Sequence, residues 1–302
     1  MTTTARLRAF VTVADTGSVR AAAARLVLTE SAVSAAIGAL SDEVGVPMVE
    51  RDGRGVRLTP SGVTFAGYAR AILGLHDEAF SAARGDIDPA RGQIRLAAVT
   101  TAADHLLPAA LAGFRGEYPE VELRLDVGTS EHVWALLDSH ATDLVIAGRP
   151  PRGTSDVVIR AVRANELVPV AAPSVAATFE AGATTWLMRE AGSGTRSTCE
   201  ALLTGLEVDP PRLTLGSNGA VVAGAVAALG VTLVSRDAVA RELAAGELVT
   251  VPLAGTPLRR PWHAVTHRRT PASVDLLVAH LLAGRDWRRQ RGSLARSTAR
   301  GR

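Results

Sequence analysis

The sequence predicts a multidomain chain: an all-α unit of short helices closed by a β-hairpin, then a linking helix, then a larger α/β domain. Three observations predict it. Apolar residues recur at helical spacing from Leu7 to Val44; a stripe begun by Pro60 repeats at alternating steps of three and four; and from Gln93 onward strands alternate with helices. These divide the chain into 1–59 for the first unit, 60–90 for the linking helix and its hinge, 91–284 for the α/β domain and 285–302 for a basic, disordered tail.

In the first unit, Leu7, Phe10, Val11 and Ala14 give one buried stripe, and Gly17 stops that helix. Ser18 caps a second helix whose inner face is Val19, Ala22, Ala23 and Leu26. Its run of alanines lets another helix approach closely. Thr29 caps a third helix with Val33, Ala36, Ile37, Leu40 and Val44 turned inward. Two short helices joined by a tight turn, with small residues at their crossing, form a helix-turn-helix, a motif that lays its second helix in the major groove. The following Glu50-Arg51-Asp52-Gly53-Arg54-Gly55-Val56-Arg57-Leu58-Thr59 reads as a hairpin with a two-glycine turn, a wing. Arg51, Arg54 and Arg57 recur along it, where guanidinium groups reach phosphates or a narrow minor groove. Spacing alone leaves open an ordinary exposed hairpin with solvated arginines.

Thr59 and Pro60 start the linking helix. Phe65, Tyr68, Ile72, Leu75 and Ala79 make a near-heptad stripe that suits pairing with a second copy; packing against its own domain is the alternative. The segment 85–92, rich in Gly, Asp and Pro, ends the helix as a hinge. Beyond it, strands at 94–99, 121–127 and 143–147 alternate with helices, and a second set of strands follows near 167–171, 186–188, 213–215 and 231–235. That texture predicts largely parallel sheets.

Taken in order, Phe10-Val11-x-Val13-Ala14, Gly17-Ser18, Ala21-Ala22-x-x-Leu26, Ser31-Ala32-Val33-Ser34, Ile37-x-x-Leu40 and Leu58-Thr59-Pro60-x-Gly62 resemble the N-terminal domain of LysR-type transcription regulators. Leu106-Leu107-Pro108, Tyr118-Pro119-x-Val121, Gly192-Ser193-Gly194-Thr195-Arg196 and Gly230-Val231 extend the resemblance to that family's effector domain, which is similar to periplasmic solute-binding proteins. The resemblance implies a winged helix-turn-helix with a linker helix, followed by a periplasmic-binding-protein-like α/β domain of two lobes. Lobe I is expected at 91–163 and 268–284 and lobe II at 164–267, with the chain crossing near 162–165 and back near 266–269. Within the family, residues 189–196 and 215–218 look closest to regulators of carbon-fixation or cysteine and sulfur genes.

The partners so implied are double-stranded DNA with an inverted-repeat operator, a small-molecule effector, and a second copy of the chain in a dimer or dimer of dimers. RNA polymerase is a candidate further partner. On this reading Arg20, Arg25, Thr29, Ser31, Ser34, Ala35, Arg51, Arg54 and Arg57 face DNA. The outward stripe of the third helix (Ser31, Ser34, Ala35, Gly38, Ser41, Asp42) departs from the family: no side chain there makes a bidentate Arg–guanine or Gln–adenine contact. DNA binding is therefore expected to be weak per subunit. A solute-binding protein whose DNA recognition has decayed is the competing reading.

Ligands in such folds sit between lobes, at carboxyl ends of strands and amino ends of helices. Four loops qualify: Thr100-Thr101, Thr129-Ser130, Ser193-Gly194-Thr195-Arg196 and Ser217-Asn218, with Arg196 able to hold an anion bidentately. Helix capping explains each loop taken singly. The lack of a Lys or further Arg in these loops argues against a multiply phosphorylated ligand.

Composition bounds the rest. All 33 basic residues are Arg, and the tail holds seven of them against one Asp. That tail, at +6, exceeds the whole-chain +3, so the remaining 284 residues are net negative by three, and the basic character belongs to the tail. No stretch approaches the roughly 18 apolar residues of a membrane span, and the N-terminus runs directly into an amphipathic helix without a signal core. A single cysteine, Cys199, allows no internal disulfide and reads as a buried structural thiol. A cytoplasmic location is expected. The seven histidines are scattered without metal-ligand spacing, and neither a nucleophile elbow nor a P-loop is present. No enzyme, metal or cofactor is expected.

Overall fold

A computed structural model describes the chain except residues 1, 54, 86–87, 152–153, 155 and 291–302. The N-terminal unit comprises α1 (Thr4–Thr16), α2 (Val19–Leu26), α3 (Glu30–Val44), β1 (Val49–Asp52) and β2 (Gly55–Leu58). The side chains of Thr3, Ser18 and Thr29 each cap the helix that follows, and Gly17 and Gly45 end α1 and α3 in the left-handed region. Helices α2 and α3 meet at 109°. Ala9, Val13, Ala22, Ala23, Val33 and Ile37 form the core at that crossing, where the alanines permit close approach. Val44 departs from the expected stripe: it stands 44% exposed at the last turn of α3, beyond the reach of α1 and α2.

The wing is held by backbone. Strands β1 and β2 pair antiparallel from Val49–Leu58 to Asp52–Gly55, and the Val56 N–H donates to the Gly17 carbonyl at 2.9 Å. Gly17 (φ 63°) turns that carbonyl outward, and a Cβ on Gly55 would lie 2.9 Å from it. The glycine that stops α1 thus also fixes where the wing points.

Helix α4 (Pro60–Gly85) carries two faces. Ala66 and Ala69 are buried against Leu7, Phe10, Leu40 and Met48, with Phe65 and Leu73 packed on that cluster. Phe65 therefore belongs to its own domain, with its ring 5.6 Å from Phe10, and not to the outward stripe. Tyr68, Ile72 and Leu75 remain 69%, 49% and 48% exposed, and Ala79 is exposed too.

A 3₁₀ turn at Pro89–Arg91 leads into the α/β domain. Its first part runs β3 (Gln93–Val99), α5 (Thr100–His105), α6 (Leu107–Glu117), β4 (Glu122–Gly128), α7 (Ser130–Asp138), β5 (Leu144–Ala147) and β6 (Val157–Arg163). The second runs β7 (Glu166–Ala171), α8 (Pro173–Ala176), β8 (Trp186–Met188), α9 (Gly194–Gly205), β9 (Arg212–Thr214), α10 (Asn218–Val226), β10 (Thr232–Ser235), α11 (Ala240–Ala245), β11 (Val249–Thr250) and β12 (Leu258–Arg259). The chain then returns through β13 (Trp262–His267), α12 (Ala272–Ala283) and β14 (Trp287–Arg288).

Lobe I is a six-stranded sheet ordered β14-β6-β13-β5-β3-β4. Its strands β3, β4 and β5 are parallel, whereas β13 runs antiparallel to both β5 and β6. Lobe II centres on β7, whose pairings with β10, β11 and β12 are all antiparallel; β8 and β9 pair in parallel, and Trp186 and Val231 form a parallel bridge. The expectation of largely parallel sheets therefore holds for half of lobe I and fails in lobe II. Alternation along β7 serves two cores: Leu167 and Ala171 pack with Trp186 and Cys199, while Val168 and Val170 pack with Val221 and Val234.

Two boundaries move. The return crossing lies at residues 259–262 rather than 266–269, because β13 joins the lobe I sheet instead of closing lobe II. The two crossings hold one another: the Arg260 N–H donates to the Asn165 carbonyl and the Asn165 side-chain amide donates to the Arg260 carbonyl, each at 2.9 Å. Residues 285–290 are not a free tail either. Strand β14 pairs with β6, and Trp287 is buried in the lobe I core. The rest of the expected tail, 291–302, lies outside the described residues.

Candidate functional site

On the DNA side, Thr29 caps α3, and Ser31, Ser34, Ala35 and Gly38 form an exposed strip along it. Arg20 on α2 and Arg51 on β1 are exposed. Arg57 is exposed but stands 3.1 Å from Glu50, its cross-strand partner, which offsets part of its attraction for DNA. Arg25 lines an open groove between α1, α2, α4 and α7, on the side of the effector domain. Arg54 lies outside the described residues. Along this strip serine hydroxyls can donate to phosphates or base edges, and Ala35 can meet a thymine methyl.

On the sensor side, the lobes enclose a cavity of about 20 Å³ lined by residues of both. Thr100 and Thr101 come from the start of α5, Thr129 and Ser130 from the start of α7, and Ser193, Gly194 and Thr195 from the start of α9. Seven of the ten expected ligand residues are thus brought together, at helix N-termini whose partial positive charge favours an anion. Asn218 is buried beside them. Its Oδ1 lies 3.4 Å from the Thr101 hydroxyl and 3.4 Å from an Arg189 Nη, so it braces the cavity from lobe II.

Two expected residues do not take part. Ser217 is exposed and spends its hydroxyl capping α10. Arg196 is captured by Glu200 one turn along α9, at 2.8 Å, and donates to the Arg189 carbonyl at 3.0 Å. Its fork is spent on Glu200 of its own helix and on the strand-end carbonyl of Arg189.

Two arginines that the loops did not reveal line the cavity instead. Arg189, 5% exposed, ends in a bidentate pair with Glu190 at 2.6 and 2.7 Å. Burial pushes the Glu190 carboxyl up, but the bonds from Arg189 and from its own backbone, with the Arg189 charge, outweigh that and leave it lowered. Arg189 is therefore a neutralised cation. Arg260, from the return crossing, is different. Burial pulls its guanidinium below the usual arginine range, and no described residue forms a hydrogen bond or ion pair with that guanidinium. A Cβ at Gly194 would collide with it, and one at Gly148 would lie 2.9 Å from it. Two glycines thus make room for an uncompensated charge. Of this pair only Arg260 adds an uncompensated cation to those the loops supply.

Burial first and then the Arg149 charge push the nearby His263 imidazole down, against a bond to the Pro261 carbonyl, with Arg260 adding to the fall. His263 is thus kept neutral at the edge of a positive field. The cavity itself admits one water-sized group. The lobes are closed over it: the Glu131 N–H donates to the Gly192 carbonyl at 3.3 Å, and Arg163 bonds Asp237 across the lobes at 2.6 Å. Beyond Arg260 a groove of about 790 Å³ opens between α7 and α9, with Trp134 and Arg149 on its walls.

This arrangement, a wing-flanked helix pair and a closed two-lobed cleft, has known counterparts. Residues 4–63 match the model of the bacterial regulatory helix-turn-helix proteins of the LysR family, and residues 88–285 match that of the LysR substrate binding domain. The chain belongs to the LysR family of transcription regulators. It is 35% identical over 279 residues to the regulator CfxR of Cupriavidus necator, covering 89% of this chain and 87% of that one. It is 36% identical over 205 residues to the RuBisCO operon transcriptional regulator of Allochromatium vinosum, covering 65% of this chain and 66% of that one. In fold it is similar to a full-length OxyR of Pseudomonas aeruginosa, with a TM-score of 0.69 at 18% identity, over 97% of this chain and 99% of that one. As a LysR-type protein the chain is a transcription regulator with a helix-turn-helix DNA-binding domain and a substrate-binding domain, and its family placement lies with regulators of the carbon-fixation type.

Cys199 of this LysR-type chain is buried in lobe II, and burial pushes its thiol up to about 12. Such a thiol is a poor nucleophile.

Proposed function

We propose that this regulator is a homodimer, or a dimer of dimers, that binds an inverted-repeat duplex and is switched by a small anion bound between its two lobes at Arg260, where the interlobe cavity meets the groove between α7 and α9. The observation that carries the ligand class is the Arg260 guanidinium: half-buried, facing the interlobe cavity and the groove beyond it, and without an anionic partner among the described residues. A partly desolvated charge with no partner gains when a counter-charge arrives. An anion held by Arg260, the Thr100, Thr101 and Thr195 hydroxyls and the start of α9 supplies it. Thr129, Ser130, Ser193 and Gly194 shape the wall, and Asn218 braces Thr101. The ligand acts as an effector because it binds the closed lobes better than the open ones, and only that differential affinity shifts the equilibrium.

Dimerisation rests on the exposed face Tyr68, Ile72, Leu75 and Ala79 of α4, which sets the two α3 helices one turn of duplex apart. Thr29, Ser31, Ser34 and Ala35 with Arg20 and Arg51 supply the DNA contacts of each subunit, Arg57 a weaker one. The site is a sensor without catalysis, in a cytoplasmic protein.

The test is native mass spectrometry of the purified chain for a co-purified anion, followed by calorimetry with that anion on the wild type and Arg260→Ala. Binding to the wild type that the variant loses supports the reading. Equal binding by both, or binding of neutral ligands only, refutes it. The sequestering alternative is separated by filter binding to genomic fragments: fragment enrichment supports the regulator, and indifference to DNA supports the alternative.

A further inference from the structure

Three arginines stand at or beside the interlobe cavity, and their charges are met in different ways. Arg260 is half-buried, and its guanidinium has no ion pair or hydrogen bond among the described residues. Arg196 is outside the cavity lining and is held by Glu200 at 2.8 Å. Arg189 lines the cavity, 5% exposed, and is held by its neighbour in sequence, Glu190. That contact is a fork: Nε donates to one carboxylate oxygen at 2.7 Å and an Nη to the other at 2.6 Å. Successive side chains of a strand point to opposite faces. Strand β8 ends at Met188, and the turn beyond it lets residues 189 and 190 face one another.

The Arg189 guanidinium meets the cavity on its other side. Its second Nη lies 3.4 Å from Asn218 Oδ1, the same oxygen that the Thr101 hydroxyl approaches at 3.4 Å, and Thr101 is part of the lining. Glu190 is not part of it, and its side chain is 26% exposed. The carboxylate therefore stands behind Arg189 as seen from the cavity. It cancels the charge without occupying the ligand's place. Burial works against the Glu190 charge, yet the bonds from Arg189 keep the carboxyl below its ordinary range, so it stays ionised at neutral pH.

We infer that Glu190 sets the charge of the ligand: by neutralising Arg189 it leaves the cavity one net guanidinium, Arg260, and so selects a singly charged head group, of the carboxylate or sulfonate kind, over a doubly charged one. The inference rests on the anion site proposed above. A first negative charge meets Arg260. A second finds Arg189 already matched, and its entry costs hydration that nothing offsets. Glu131, Asp138 and Arg149 line the groove beyond and face water, which screens them.

This role makes a quantitative demand. The energy between a fixed charge and a ligand scales with the ligand's charge, so the factor by which removing that charge changes affinity is squared when the ligand's charge doubles. Sulfate and methanesulfonate are matched probes, both tetrahedral, one a dianion and the other a monoanion. Calorimetry on the full-length protein, in chloride at constant ionic strength, measures each. The wild type is expected to bind sulfate no more tightly than methanesulfonate. Glu190→Gln is expected to tighten methanesulfonate about threefold and sulfate about tenfold, shifting their ratio about threefold. If Glu190 only held the fold, its loss would weaken both probes alike.

Glu190→Asp keeps the charge and is expected to hold the wild-type ratio. Arg189→Gln leaves the carboxylate unmatched and is expected to shift the ratio the opposite way. It decides the question if circular dichroism shows Glu190→Gln unfolded. Sulfate bound more tightly than methanesulfonate by the wild type, or a ratio that Glu190→Gln and Arg189→Gln leave unchanged, overturns the inference. Arg260→Ala separates this from failure of the site itself. If that variant binds both probes as the wild type does, the anion site at Arg260 falls; if the wild type binds neither probe, site and inference fall together.

Discussion

The helix that meets DNA and the cleft that meets ligand solve recognition in opposite ways. Along the middle of α3 the outward residues Ser31, Ser34, Ala35 and Gly38 are short and uncharged. Between the lobes one half-buried guanidinium, Arg260, has no counter-charge among the described residues. In the first region no residue dominates, so binding free energy comes from many small contacts repeated by symmetry. In the second, one residue concentrates it. A regulator built this way holds DNA loosely per subunit and ligand by a point, and its response depends on geometry more than on contact strength.

The contrast can be broken most forcefully at Arg260. Replacing it with Ala is expected to cost about 100-fold in anion affinity at the cleft, the scale of two charge-assisted hydrogen bonds lost together. Binding of the ligand-free protein to its operator should stay within about twofold. A comparable loss on DNA would mean that the two regions are not separate. Next in size is Arg51→Ala, expected to weaken operator binding about tenfold at low salt and to reduce the slope of log K against log salt by about one. A wild-type slope so steep that it implies about ten phosphate contacts would falsify the picture of a sparse DNA face. Ser34→Ala is expected to cost about threefold, the loss of one neutral hydrogen bond, and gel shifts on the same operator measure it.

Smaller still is Gly38→Ala. Nothing lies within 4 Å of the added methyl, and the change removes about 1 kcal/mol of helix penalty, so the thermal midpoint should rise by a few degrees in calorimetry. The least effect is expected at Cys199. With its thiol pushed up to about 12 by burial, labelling of the folded chain with a thiol reagent at pH 8 should proceed far more slowly than in denaturant. The sign follows: the folded state holds this proton more tightly than the unfolded one, so the thiol's contribution to stability is intact below about pH 9 and fades towards about 12.

The N-terminal unit was legible because its signals are local. Caps at Ser18 and Thr29, the stop at Gly17 and the three-four spacing of Val33, Ile37 and Leu40 act within one or two turns, and all sit where the sequence puts them. Phe65 was misassigned because a stripe of period 3.5 does not say which of two adjacent faces a residue at its edge joins. The small Ala66 and Ala69 marked the inner face, and Phe65 fills the space beside them.

The cleft was half legible. Loops that open helices carry Ser, Thr and Gly for reasons visible in sequence, and seven of those residues converge. Arg260 was hidden because its role depends on sheet membership: only when β13 is seen to pair with β5 and β6 does the chain cross at 260 and present that side chain between lobes. Arg196 misled in the other direction. Its i,i+4 carboxylate, Glu200, was in plain view, and a local ion pair is the commoner fate of such an arginine. Trp287 was the one mark against a free tail, an indole too large to leave in water without cause.

One glycine determines how these halves are joined. At position 74 the backbone of α4 lies directly against the carbonyls of Ser139 and His140, and no side chain of any size fits between them. Alanine there would push the linker off lobe I without touching an operator base or an effector atom. A single methyl group is thus enough to disconnect what the protein senses from what it grips.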